Sequence, residues 1–335
     1  MESGSNSTWE TIRPQIQESI EEIAVMRRRG IKKFIKYGTL FTVGLTVVST
    51  VLTGEPLISL IVCIICSYGG TWWYCANEIT MTYKTKTVPL LVKTICPTAF
   101  YGEKGDKDRK PEPGEPDLLE VNDEMWQSTH IFARYGTETP FMTHEDTITG
   151  YVDKTTFVFC ECKFGVEREA NNYASDKTGK GTTRDTFFSG LAFCADFNKD
   201  MSGCTVLSTV TSPINRSRAD IDLTKVTMED VTFSKTFTTL SSDEVEARYI
   251  FSPSLQERFV GLYKSISETM GETRMTAIFH DGQMLILIPT LQDRFEAGLF
   301  AELTEEDVLK DFITIRQMIE IVEDLNLNTR IWTKK

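Results

Sequence analysis

The residue types able to do chemistry are few and scattered. Cys160 and Cys162 stand two apart in "TTFVFCECKF", where strand alternation puts both on one face with Val158 and Phe164. A structural zinc site takes four ligands, and only Cys194 and Cys204 are candidates to join them. Small buried apolar side chains are therefore expected instead. His130, His144 and His280 show no ligand spacing. His144 lies in "THEDT" beside two acids, where a hydrolytic His–acid pair is the sharp alternative to a solvated strand entry. His280 precedes a hairpin turn. "ASDKTGKGTT" (174–183) invites a phosphate-loop reading and fails it twice. Ala174 holds the place of the first glycine, and Gly181 follows Lys180 where Ser or Thr is required. No spacing points to Ser/His/Asp or paired-carboxylate catalysis. No catalytic, cofactor or metal residues are expected; enzymatic activity stays an open question that leans towards no.

The elements around these residues explain more. The chain has 335 residues, 41% apolar and 25% charged, which is globular composition. Its charge is uneven. Residues 1–100 carry ten Lys/Arg against seven Asp/Glu, and residues 101–335 carry 26 against 41. An acidic body without a basic stripe argues against nucleic acid as a partner, because phosphate binding needs clustered Lys/Arg. The eight cysteines form no regular framework, which fits reduced thiols in a reducing compartment.

Tyr37 to Gly54 and Pro56 to Asn77 are two runs without a formal charge. As helices they measure roughly 27 and 33 Å, each close to the apolar thickness of a bilayer. One continuous helix would bury Glu55 at its centre for about 3 kcal/mol and break its ladder at Pro56. Two spans turning at Thr53, Gly54, Glu55 and Pro56 avoid both costs. Arg27, Arg28, Arg29, Lys32, Lys33 and Lys36 flank the first run; Lys84, Lys86 and Lys93 follow the second. Basic residues on both outer flanks put both termini on the cytoplasmic side of the cytoplasmic membrane. Trp72, Trp73 and Tyr74 fit an interfacial belt, and the glycines of "SYGGTWW" permit close helix approach.

Four segments follow. Residues 1–33 hold an amphipathic helix, with Trp9, Ile12, Ile16, Ile20 and Ile23 in one stripe, and the basic flank. Residues 34–77 are the transmembrane helical hairpin, and 78–118 a juxtamembrane segment with a charged Pro/Gly-rich linker. Residues 119–335 make an acidic α+β cytoplasmic domain of antiparallel strands with late helices, and "SPINRSRADIDLTKV" (212–226) is where a subdomain break would fall. Strands are expected over 148–164, 186–197, 203–210 and 274–289, the last a hairpin on Asp281-Gly282. Ser252 as cap and Pro253 in the first turn are expected to open a helix with Leu255, Phe259, Leu262 and Ile266 on its buried side, and Thr304 with Asp307 suggests a capped start to another.

The blocks "EDTITGYVDKTTFVFCE" (145–161), "FFSGLAFCADFNKDMSGCTVL" (187–207), "FSKTFTTLSSDEVEARYIFSPSLQERF" (233–259) and "LNLNTRIW" (325–332) resemble the bacterial membrane-anchored family called domain of unknown function 3137. The likeness extends over roughly four-fifths of the chain, hairpin included. It implies an inner-membrane protein without a defined activity, and a LemA-type membrane protein as a partner. Glu246, Arg248 and Tyr249 are its family-like positions, with Arg248 expected to fork onto Glu246 or Glu257 and tie strand to helix.

Together these features describe a membrane-anchored, cytoplasm-facing scaffold or interaction protein that self-assembles as a homo-oligomer. The alternative is a membrane-bound sensor of a lipid or small ligand, and an enzyme comes third.

Overall fold

The structure is a computed structural model that describes residues 2–102, 138–169, 182–197, 199, 201–209, 222–271, 274–290, 294–325 and 327. His130, the 103–118 linker, residues 174–181 and most of the 212–226 stretch lie outside the described residues. The chain forms two compact units, Met1–Ile95 with Arg294–Ile313, and Cys96–Asp293 with Thr314–Lys335.

In the first unit, α1 (Glu2–Thr53) is one unbroken helix that carries both the amphipathic stripe and the first apolar run. Trp9, Ile12, Ile16 and Ile23 are buried. Gly54 takes φ +74°, a left-handed conformation that ends α1 at no steric cost. Pro56, whose missing N–H costs nothing in a first turn, starts α2 (Pro56–Thr82). A π-helical turn (Tyr83–Thr87) and α3 (Val88–Ile95) follow without a break. Both long helices are long and apolar enough to cross a membrane.

Three polar contacts set the register of α1 on α2. Lys33 meets Glu78 at 3.1 Å, the Thr39 and Tyr68 hydroxyls lie 2.9 Å apart, and Ser49 donates to Ser59 at 3.0 Å. Gly38 makes this approach possible, since a Cβ there would stand 2.7 Å from the Tyr68 ring.

The second unit is built on a nine-stranded sheet among the described residues, antiparallel throughout. In chain order its elements are β1 (Phe100–Gly102), β2 (Glu138–Val152), β3 (Thr155–Glu169), β4 (Thr182–Asp196), β5 (Cys204–Ser208), β6 (Thr224–Val226), α4 (Val231–Thr236), β7 (Thr238–Ser241), α5 (Glu244–Ile250), α6 (Pro253–Met270), β8 (Thr276–His280) and β9 (Gln283–Pro289). The strands lie in the order β1-β2-β3-β4-β9-β8-β5-β7-β6. The last helix, α7 (Glu305–Asp324), contributes residues to each unit.

The α+β class is thus observed, with antiparallel strands throughout and most helices of the second unit falling after β6, interleaved with β7 to β9. Asp281 and Gly282 both have positive φ (48° and 72°), as a tight two-residue hairpin turn requires. One sheet face buries Val158, Cys160, Cys162, Phe164, Ala192 and Cys194. The opposite set, Phe193 and Phe279 among them, belongs to an aromatic layer in which Phe251 and Phe259 of the α5–α6 region contact Phe279 at 5.2 and 5.9 Å. Leu255, Phe259, Leu262 and Ile266 are all buried along α6.

Two capping details differ in outcome. Thr304 and Asp307 form a reciprocal box: the Asp307 carboxylate accepts from the Thr304 amide at 3.0 Å, and the Thr304 hydroxyl accepts from the Asp307 amide at 3.2 Å. Ser252 makes no side-chain cap bond, because its hydroxyl faces that of Ser254 at 3.3 Å. Proline at the first helical position carries that start alone.

Candidate functional site

A buried polar cluster of the first unit gathers where α2 passes into the π turn. A π turn adds a residue to a helical circuit and often marks a functional position. Here it points Tyr83, Lys84 and Thr87 inward, all buried. The Tyr83 hydroxyl, fully buried, donates to Oδ2 of Asp311 on α7 at 2.6 Å. Lys84, 3% exposed, meets Glu296 at 2.8 Å. Thr80 donates to the Ala297 carbonyl at 2.9 Å, and Thr87 meets Ser19 of α1 at 2.5 Å.

Residues 294–313 therefore form a strap against the helices. Arg27 pairs with Glu302 at 2.9 Å and Arg13 with Glu305 at 2.7 Å. Phe34 stacks edge-on to Phe300, and Trp9 to Phe312. Gly30 leaves room for Leu299, whose methyl would lie 2.9 Å from an added Cβ. Where this strap begins, Phe295 is buried at φ +58°, an outlier conformation for a bulky side chain. The Phe295 amide donates to Asp311, which gives that strained backbone a role in the cluster.

Burial pushes the Asp311 carboxyl up to about 6. The Tyr83 hydrogen bond, the Arg294 charge and the Phe295 amide each oppose that shift without cancelling it. The result is an acid that changes charge just below neutrality. What the cluster offers is a proton-dependent contact between the Tyr83 hydroxyl and the Asp311 carboxylate.

The thiols are placed for packing. Cys160 and Cys162 share one face with Val158 and Phe164, joined by Cys194 and Cys204 in the same core. A hydrogen bond to Cys162, and then burial, raises the Cys160 thiol well above its ordinary value, and burial takes Cys204 up to about 12. Neither supplies a thiolate near neutral pH. His144 Nδ1 lies 3.0 Å from the Thr147 hydroxyl, and His280 Nδ1 lies 3.2 Å from the Gly203 carbonyl with Asp281 at 3.3 Å from Nε2.

Of the family-like positions, Glu246 accepts from the amides of Ser202 at 2.8 Å and Gly203 at 3.0 Å. Tyr249 receives Lys199 over its ring, and the Lys199 ammonium also donates to the Tyr249 and Ile250 carbonyls at 2.6 and 2.9 Å. These contacts clamp Lys199, Ser202 and Gly203 to α5. The expected Arg248 fork onto Glu246 or Glu257 is corrected: Arg248 pairs with Glu244 at 2.8 Å, one helical turn back, because Glu246 is already committed to backbone amides. Composition and spacing marked Lys84 only as part of a flank. Tyr83, Glu296 and Asp311 had no local signal beyond a tyrosine after an apolar run.

Residues 186–327 match the family described as "Protein of unknown function (DUF3137)". The blocks at 187–207 and 233–259 lie inside the match, and the block at 145–161 lies outside it. No curated protein matches the chain. Among solved structures, the crystal structure of the mycobacterial trehalose monomycolate transport factor A, TtfA, aligns at 10% identity with a TM-score of 0.30, covering 71% of this chain and 96% of that one. A superposition that loose carries no argument about fold or function.

Proposed function

We propose that the chain is a non-enzymatic protein of the cytoplasmic membrane, anchored by α1 and α2, whose acidic α+β unit binds protein in the cytoplasm, including further copies of itself. The observation that carries the anchor is exposure. Val51 and Leu52 are each 80% exposed and Leu57 72%, and the most apolar windows of the two helices are 11% and 17% buried. Soluble proteins do not leave apolar patches of that extent in water. A bilayer removes the problem, with Gly54, Glu55 and Pro56 at the outer surface and the six basic residues before Tyr37 at the inner one.

Assembly is supported by what the hairpin leaves open. An added Cβ at Gly69 meets nothing within 4 Å among the described residues, which leaves this face of α2 open for close helix approach. The bacterial inner membrane and a LemA-type partner follow from the resemblance. The test is mass determination of the detergent-extracted complex with its copurifying proteins. A strict monomer without partners would end the assembly reading. The sensor reading is favoured by a separate feature, an apolar groove along the hairpin.

A further inference from the structure

That groove has a volume of about 650 Å³ and runs between α1 and α2. On α1 its wall is Lys33, Tyr37, Phe41 and Leu45, four side chains at steps of four on one helical stripe. Facing them on α2 are small or flat groups, chiefly Gly70 and Thr71, with Tyr74 towards the Lys33 end. On α1 the lining thus grades from a cation, through tyrosine, to the apolar Phe41 and Leu45, while α2 adds the small polar groups of Ser67 and Thr71. Arg29, exposed and one turn before Lys33, extends the charged end.

We propose that this groove seats one acyl chain of an anionic phospholipid, whose phosphate meets Lys33. Basic pockets between transmembrane helices on the cytoplasmic side are the setting in which anionic headgroups bind. A tyrosine belongs at headgroup depth, where its ring is apolar and its hydroxyl wet, and both Tyr37 and Tyr74 stand beside the lysine. Below them the wall offers an acyl chain dispersion contacts, and Gly70 leaves the chain's path clear. Lys33 also pairs with Glu78 at 3.1 Å, so a phosphate would share the ammonium with that carboxylate. A helix of a second copy is disfavoured as occupant, because it gains nothing from a cation at one end. The proposal rests on the membrane reading of α1 and α2.

The test uses the full chain extracted in mild detergent, delipidated, and titrated with phosphatidylglycerol or phosphatidylethanolamine while native mass spectrometry counts bound lipid. One phosphatidylglycerol should be retained with at least about tenfold preference over phosphatidylethanolamine. Gly70→Leu, whose Cβ has open space around it and whose side chain would project into the groove, should abolish that retention. Lys33→Gln should weaken phosphatidylglycerol retention about fivefold and leave that of the zwitterionic phosphatidylethanolamine unchanged. Gly69→Leu and Gly44→Leu, outside the lining, should not change it, which separates occupancy from misfolding. Equal retention of the two lipids, or retention that survives Gly70→Leu, overturns the proposal. So does a Gly70→Leu protein that loses a dimer mass instead of a lipid mass. Recovery of the chain in the soluble fraction without detergent would instead sink the membrane reading itself.

Discussion

Tyr83 and Asp311 lie 228 positions apart in sequence and are joined by one buried hydrogen bond of 2.6 Å. The phenol comes from the turn that follows the apolar hairpin, and the carboxylate comes from the last helix. This bond closes the strap of residues 294–313 onto the helices that precede it, and it is the contact whose loss should be felt most.

Tyr83→Phe removes the donor and leaves the ring packing in place. A hydrogen bond to a charged acceptor is worth about 1.5–3 kcal/mol, so the unfolding free energy should fall by that order at pH 7.5. The Asp311 carboxyl should also move further above about 6, because a group that favoured its charged form is gone. Denaturant melts and a carboxyl-carbon NMR titration read the two effects. Unchanged stability with an unchanged titration would mean that the bond does not form.

Asp311 also sets a pH dependence. Its folded value of about 6 lies above the ordinary 3.8, so between those values the folded state holds more proton than the unfolded one. Stability from this group is present below about 3.8 and is lost as pH rises through 6, a swing on the order of 3 kcal/mol at most. Asp311→Asn should therefore be more stable than the parent at pH 8 and lack that slope between pH 4 and 6. A parent protein whose stability rises through this window, with the slope unchanged in the variant, would contradict the assignment.

Glu246 and Arg248 should separate cleanly, although both belong to the family-like block. Glu246→Ala strips two backbone amides of a charged acceptor and should cost about 1.5–3 kcal/mol. Arg248→Ala loses only an exposed pair one turn apart, which seldom has measurable worth. Paired thermal melts decide it, and equal losses from the two variants would restore the strand-to-helix role expected for Arg248.

Gly165 marks the irregularity where the β3–β4 register shifts. An added Cβ there would stand 1.9 Å from the Asp185 carbonyl oxygen and 2.9 Å from the Thr186 Cα, both backbone atoms that cannot rotate away. Gly165→Ala should cost about 3 kcal/mol, at the upper end of overpacking. Amide exchange should show the loss spreading along β4. A variant as protected as the parent would mean that the two strands separate there at little cost.

Alkylation should discriminate among the thiols as burial does. Cys160 and Cys204 are fully buried with raised thiol values and should stay unmodified by iodoacetamide at pH 8 until the protein unfolds. Rapid labelling of either, read by peptide mass spectrometry, would show that the sheet face around them opens in the native state.

Features governed by neighbours in the chain are legible in the order of residues alone. Gly54 and Pro56 end one helix and begin another because a left-handed residue and a missing N–H act on their own backbone. Asp281-Gly282 makes its hairpin for the same local reason, and the alternation of Val158, Cys160 and Cys162 gives them one face whatever covers it. Arg248 shows where that reasoning stops. Its charge announces a partner, but the choice among Glu244, Glu246 and Glu257 depends on which carboxylate the backbone has already claimed. The strap of residues 294–313 is further out of reach. Nothing near Asp311 signals that it will be buried against Tyr83, since burial is a property of what folds over a residue. By itself the sequence determined the local turns, the strand and helix periods and two helices of membrane length. Only the tertiary structure decided which distant segment packs on those helices, because that choice sums many weak contacts between residues far apart in the chain.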